Sequence, residues 1–214
     1  MGELMLKINK GNVPREFHEI KRIRNNYDEL VAEEKDKLKT ILLREQNNRC
    51  AYCMSRIDSD SSIIEHYIPR NGCYGDMSKS LDYNNLFAVC NATSKLPLKS
   101  RRCDSRKGDK LLNIDPRIQS HIDTIKYDKR GTISSTNSDF NYDLNAKLNL
   151  NAQVLINNRF AALDSLMKRM NEKKSGCWRK EFIQHMIDKY KSKDDCTPYA
   201  GYIIYHLEKR LQRL

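Results

Sequence analysis

Apolar positions over residues 14–47 recur at helical spacing. Phe17, Ile20, Tyr27, Leu30, Val31, Leu38, Ile41 and Leu42 follow one face, with charged residues between them. The pattern predicts helix here, with a break near Asn25-Asn26 and Pro14 suited to a first turn. Over 50–110 the helical period disappears and Cys, Asn, Asp, Gly and Ser accumulate. Within that stretch "SSIIEHYIP" predicts a short strand ended by Pro69. "NGCYGDMSKSLDYN" reads as a loop, and "CDSRKGDKLLN" opens a short helix after Cys103. Residues 121–134 hold a turn at 128–131 between two β-capable stretches. Three helical stretches follow from about 151. One carries the stripe Leu155, Phe160, Leu163, Met167 and Met170, and the next carries Phe182, Met186 and Tyr190. The last is "TPYAGYIIYHLEKRLQRL", with Thr197 as N-cap and Pro198 in the first turn. No internal repeat or low-complexity tract interrupts the order.

These elements predict an α+β, mainly helical chain. It divides into an N-terminal helical segment (1–47), a small core (48–135) and a C-terminal helical region (136–214). Its 214 residues suit one elaborated domain, or a small core with flanking helices. Those helices either dock a partner or only cover the core. Hydrophobic residues make up 39% and charged residues 31%, so the chain is expected to be soluble and rather polar. No run approaches a membrane span, and "MGELMLKINKGN" lacks the apolar centre of a signal peptide, so a cytoplasmic, membrane-free location is expected. A net charge of +11 and a pI near 9.3 suit a polyanionic partner: DNA, RNA or an acidic protein. Basic charge also serves solubility alone, and charge by itself does not separate the two.

The seven cysteines change the picture. An odd count without a secretion signal argues against a disulfide framework and for metal ligation. Cys50-x2-Cys53 has zinc-ligand spacing, and Cys90 and Cys103 can complete a four-thiolate site. The second pair is thirteen residues apart, which leaves a smaller ligand set open. A full set would be structural, because four thiolates leave no open position for substrate. Cys73, Cys177 and Cys196 have no ligand-spaced partner and read as free thiols.

Between the cysteines stand Glu65 and His66. Strand neighbours point to opposite faces, so one can ligate a cation while the other activates water. Histidine suits the base, with an ordinary pKa of about 6.5. Asp104 adds a second hard oxygen, and with Glu65 it suits Mg²⁺ or Mn²⁺ better than zinc. Asp104 also reads as a helix N-cap. Asn85 reads as a turn residue, or as a group that hydrogen-bonds backbone and holds the His66 segment in place. His18, His121, His185 and His206 read as ordinary imidazoles, with His121 in reserve. Lys95, Lys99, Arg101, Arg102, Arg106, Lys107 and Lys110 cluster around Asp104. Phosphate contacts from such a cluster would be salt-sensitive and largely sequence-independent.

Taken in order, Cys50-x2-Cys53, Glu65-His66, Asn85 and "CDSRKGD" resemble the HNH endonuclease family, the ββα-metal or His-Me finger nucleases. The resemblance implies a small ββα core braced by a zinc knuckle, with His66 as general base and Glu65 as a metal ligand. It gives Asn85 the role of orienting the base. Asp104 falls where the family commonly has Asn or His. "MLKINKGNVP", "CAYC", "IEHYIP", "LDYNNLFAVC", "RKGDKLLNIDP" and the Tyr-rich last helix are similar to the retron- and Septu-associated, PtuB-like subfamily. That likeness implies a PtuA-type ATPase partner and a defence role, and for some relatives a retron reverse transcriptase and its DNA product. The expected function is metal-dependent hydrolysis of nucleic-acid phosphodiester bonds, in DNA by default with RNA, including tRNA, as the rival. The alternative is a zinc-braced nucleic-acid-binding or assembly subunit without catalysis. Binding alone does not require the ordered set Glu65, His66, Asn85 and Asp104.

Overall fold

A computed structural model describes residues 6–173, 178–192 and 194–214. Cys177, and Met5 at the head of "MLKINKGNVP", lie outside the described residues. About 48% of the chain is helical, with two small two-stranded sheets, so the fold is α+β and mainly helical.

Helix α1 (Arg15–Ile23) buries Phe17 and Ile20. Pro14 stands one place earlier than predicted, as its N-cap, where a missing N–H is harmless. The break falls where the two asparagines announce it. The Asn26 side chain accepts from the Asp28 N–H and starts a single 3-10 turn, Tyr27–Glu29. Helix α2 (Ala32–Glu45) then begins, with Glu34 reaching back to the Val31 N–H at 2.9 Å. It lays Leu38 and Leu42 toward the core and packs on the first sheet.

That sheet is an antiparallel pair, β1 (Ser62–His66) and β2 (Leu86–Cys90). Ser62 lies opposite Cys90 and His66 opposite Leu86. Every residue of β2 is buried, which explains why "LFAVC" shows no alternation. The one-turn helix α3 (Asp104–Lys107) follows, so strand, strand and helix succeed one another across the core. Beyond it come α4 (Gln119–Ile122) and the hairpin β3 (Ile125–Tyr127) to β4 (Ile133–Ser135). Its turn lies at the predicted place. The Asp128 carboxylate accepts from the Arg130 and Thr132 N–H groups, and Gly131 has φ 101° with the Ile156 carbonyl where a Cβ would sit. Helix α5 (Ser138–Tyr142) runs into one π turn, Asp143–Lys147. Helices α6 (Gln153–Lys173), α7 (Lys180–Lys191) and α8 (Ala200–Leu211) complete the chain.

The core falls into two clusters. The larger runs from Phe17 to Leu155 and takes in Tyr202 and Tyr205 of α8. The smaller lies among α6, α7 and α8 and contains Leu166, Met170, Trp178, Ile183, Ile187, Ile203 and Leu207. Three predictions shift here. On α6, Phe160 is 49% exposed and Arg159 is buried instead, its guanidinium donating to the Gly131 and Leu150 carbonyls. On α7 the buried stripe is Ile183, Ile187 and Tyr190, one residue on from Phe182 and Met186. The N-cap of α8 is Tyr199, at φ 58°, and the Thr197 hydroxyl donates to Asp195 at 2.7 Å. The Tyr199 N–H is taken by the Met54 carbonyl, which ties the start of α8 to the cysteine knuckle. Among the described residues no helix is long and apolar enough to cross a membrane.

Candidate functional site

Cys50 and Cys53 lie in a tight turn just after α2. The Cys50 N–H bonds the Ser55 carbonyl, and Met54 at φ 58° closes the turn. Cys90 ends β2 and Cys103 precedes α3. The long loop between them is closed at its base by the Arg102 N–H to Thr93 Oγ1 bond, 3.0 Å. All four Sγ atoms lie within 4.8 Å of one another, and all four residues are buried. Cys50 and Cys103 are 3.9 Å apart, and Cys53 and Cys90 are 3.8 Å apart. The edge of a tetrahedral Zn–S₄ unit with ~2.3 Å bonds is about 3.8 Å, so the cluster has the dimensions of a zinc site. Burial pushes the Cys50 thiol well above its ordinary range, and hydrogen bonding from Cys50, Cys53 and Cys90 pushes Cys103 the same way. Thiols so placed need a cation to ionise together, and zinc fits them. Cys73 is exposed and Cys196 half-buried, both free.

β1 presents Glu65 and His66 to opposite faces. The Glu65 carboxylate accepts from the Tyr52 hydroxyl at 2.9 Å and pairs with Lys107 Nζ at 2.7 Å, with the Asp104 carboxyl nearby. Burial pushes Glu65 well above the carboxylate range, Asp104 adds to this, and the Lys107 ammonium offsets only part. Two carboxyl groups and one ammonium are therefore crowded at this face, and a divalent cation there would offset the repulsion between the carboxyl groups. The hard-oxygen donors suit Mg²⁺ or Mn²⁺.

His66 is 7% exposed and its ring meets Tyr27 edge-on at 4.7 Å between centroids. Nε2 lies 3.0 Å from the Ser80 carbonyl, which can only accept, so Nε2 carries the proton and Nδ1 the lone pair. Burial holds the imidazole down to about 4, and the Arg70 and Lys107 cations act in the same direction. The ring is thus neutral near pH 7. Asn85 holds the segment between the strands. Its Oδ1 accepts from the Ile68 N–H at 2.7 Å, and its Nδ2 donates to the Ile68 and Lys79 carbonyls at 3.0 and 3.1 Å. Lys79 is the residue before Ser80, so these bonds also set the carbonyl on which His66 rests.

The predicted basic cluster is dispersed in its duties. Lys107 is 1% exposed and spans Glu65 and the His66 carbonyl, which places it inside the site and away from the surface. Arg101 and Arg106 donate to the Leu96, Leu98 and Ala146 carbonyls. Arg102 is half-buried with Nε unpartnered, and Lys99 and Lys110 are exposed. His121 accepts the Asp115 N–H on Nδ1 and stacks on Phe140, away from this group. Tyr52, Tyr27 and Arg70 join the site without having been singled out in the sequence. For Tyr52 a signal existed, as an aromatic enclosed by the two cysteines of "CAYC".

The arrangement defines a class: a strand-borne acid–histidine pair beside a one-turn helix, with a buried tetrathiol knuckle behind it. No family model matches the chain. Over 89 residues it is 33% identical to the Septu protein PtuB of Bacillus thuringiensis. The matched stretch is 41% of this chain and 30% of the length of that protein.

Proposed function

We propose that the chain is a divalent-metal-dependent HNH-type endonuclease that hydrolyses nucleic-acid phosphodiester bonds. The observation that carries the reading is the division of labour across β1. Glu65 and Asp104 converge on one face, and a neutral His66 with a fixed tautomer stands on the other. Glu65 and Asp104 would hold a divalent cation, which would supply Lewis-acid stabilisation of the charge that develops in phosphodiester hydrolysis. His66 Nδ1 takes the proton of the attacking water, and the Ser80 carbonyl steadies the imidazolium that forms. Asn85 keeps Ser80 and the loop in position for that step. Tyr52 and Lys107 orient Glu65. Lys99, Arg101, Arg102, Arg106 and Lys110 lie near α3, where they can meet flanking phosphates, with DNA favoured over RNA or tRNA.

The four cysteines hold zinc and fix the nuclease core, assigned to 48–135, in front of the flanking helices. Similarity to a Septu protein supports a role in anti-phage defence with a PtuA-type ATPase partner. A retron reverse transcriptase and its DNA product are further partners under this reading. The test is a cleavage assay on plasmid DNA and on tRNA with Mg²⁺, Mn²⁺ or neither, alone and with the ATPase subunit, beside His66→Ala. Cation-dependent cutting lost in His66→Ala is expected. Cutting that survives the substitution removes His66 from its role, and silence with the ATPase present favours the non-catalytic binding subunit.

A further inference from the structure

Pro69 ends the segment that carries His66, and Arg70 follows it. Two cations act on the imidazole, Arg70 and Lys107. Lys107 is enclosed and committed to Glu65 and the His66 carbonyl. Arg70 keeps 27% of its side chain exposed, so it is the one that a ligand arriving from solvent can reach. Its guanidinium lies over the Tyr27 ring at 4.9 Å, and the same ring meets His66. It is paired with the Asp28 carboxylate, whose side chain is 59% exposed. The single turn Tyr27–Glu29 thus sets a ring against the base and a carboxylate on the cation beside it. A guanidinium fork donates to phosphate oxygens as readily as to carboxylate oxygens, and an ion pair so exposed is weak.

We propose that Arg70 grips a backbone phosphate of the nucleic acid beside His66, and that Asp28 occupies the guanidinium in the free protein. The proposal rests on the nuclease reading and names a substrate-contacting residue within it. Arg101 and Arg106, by contrast, spend donors on the Leu96, Leu98 and Ala146 carbonyls. Binding must displace Asp28 from Arg70, so removing its charge favours binding while removing Arg70 opposes it.

The experiment is fluorescence anisotropy of zinc-loaded full chain with a labelled DNA duplex and with tRNA, without added Mg²⁺ or Mn²⁺, across a salt series. Arg70→Ala is expected to weaken binding about 5- to 20-fold and to lower the salt slope by about 1. Asp28→Asn is expected to tighten it about 2- to 5-fold, and the double variant to behave as Arg70→Ala alone. Arg70→Ala also gives up packing on Tyr27. Arg70→Lys, which keeps the charge without the fork, is the second readout and is expected to fall between. Wild-type affinity in Arg70→Ala and Arg70→Lys overturns the phosphate contact, and wild-type affinity in Asp28→Asn overturns the competition. The series is run alone and with the ATPase subunit, and a wild-type chain that binds neither nucleic acid in either form sinks the nuclease reading itself.

Discussion

Asn85 lends itself to a quantitative test, because it carries no charge and its contacts are few and defined. It is buried, accepts from the Ile68 N–H and donates to the Ile68 and Lys79 carbonyls. Truncation to Ala removes three hydrogen bonds at ~1 kcal/mol each and leaves backbone groups without partners, so a loss of about 3 kcal/mol is expected. For a chain of this size each 1 kcal/mol lowers Tm by about 2–4 °C, which gives a drop of about 6–12 °C. The assay is thermal or urea unfolding of the zinc-loaded protein, with hydrogen exchange read at the Ile68 amide. That amide should lose protection in Asn85→Ala and keep most of it in Asn85→Asp, whose carboxylate still accepts. A loss under ~0.5 kcal/mol with Ile68 still protected would refute the clamp and return Asn85 to an ordinary turn residue.

Three further outcomes are expected. His66 is held to about 4 when folded, against an unfolded value near ~6.5, so the unfolded chain binds the extra proton between these values. The neutral ring's contribution is intact above pH ~6.5 and is lost as pH falls toward 4, by about 2–3 kcal/mol. Unfolding measured at pH 7 and pH 4.5 should show a steeper decline for wild type than for His66→Gln. Purified protein should carry about one zinc per chain by atomic emission, and Cys50→Ser or Cys103→Ser should lose it together with cooperative unfolding. Tyr52→Phe removes the hydroxyl from buried Glu65 and should cost ~1–2 kcal/mol in unfolding while leaving zinc content unchanged.

Much of the core was legible because its signals are local. The cysteine spacing, the strand before Pro69 and the turn at 128–131 each sit within a few residues of their cause. What the pattern hid was the bonding of groups that sequence does not label. Ser80 matters through its carbonyl, which any residue could supply. Tyr27 meets His66 across 39 positions because the chain turns at Asn26, and no spacing rule connects the two. On α6 an arginine took the place periodicity gave to Phe160, since its long stem fills core space while its donors end on carbonyls. On α7, Phe182 with Met186 and Ile183 with Ile187 are equally periodic, and the burial partners on α8 decided between them.

The short hairpin of β1 and β2 has a consequence for fidelity. Its five residue pairs form a ladder in which a slip of one rung would exchange the faces that Glu65 and His66 occupy, in a single error. Both ends are keyed against that error. Cys90, opposite Ser62, is anchored among the thiols at one end, and Asn85 clasps the backbone of Ile68 just past the other. The knuckle and the asparagine thus act as proofreaders of strand alignment, and the placing of Glu65 and His66 inherits its accuracy from them.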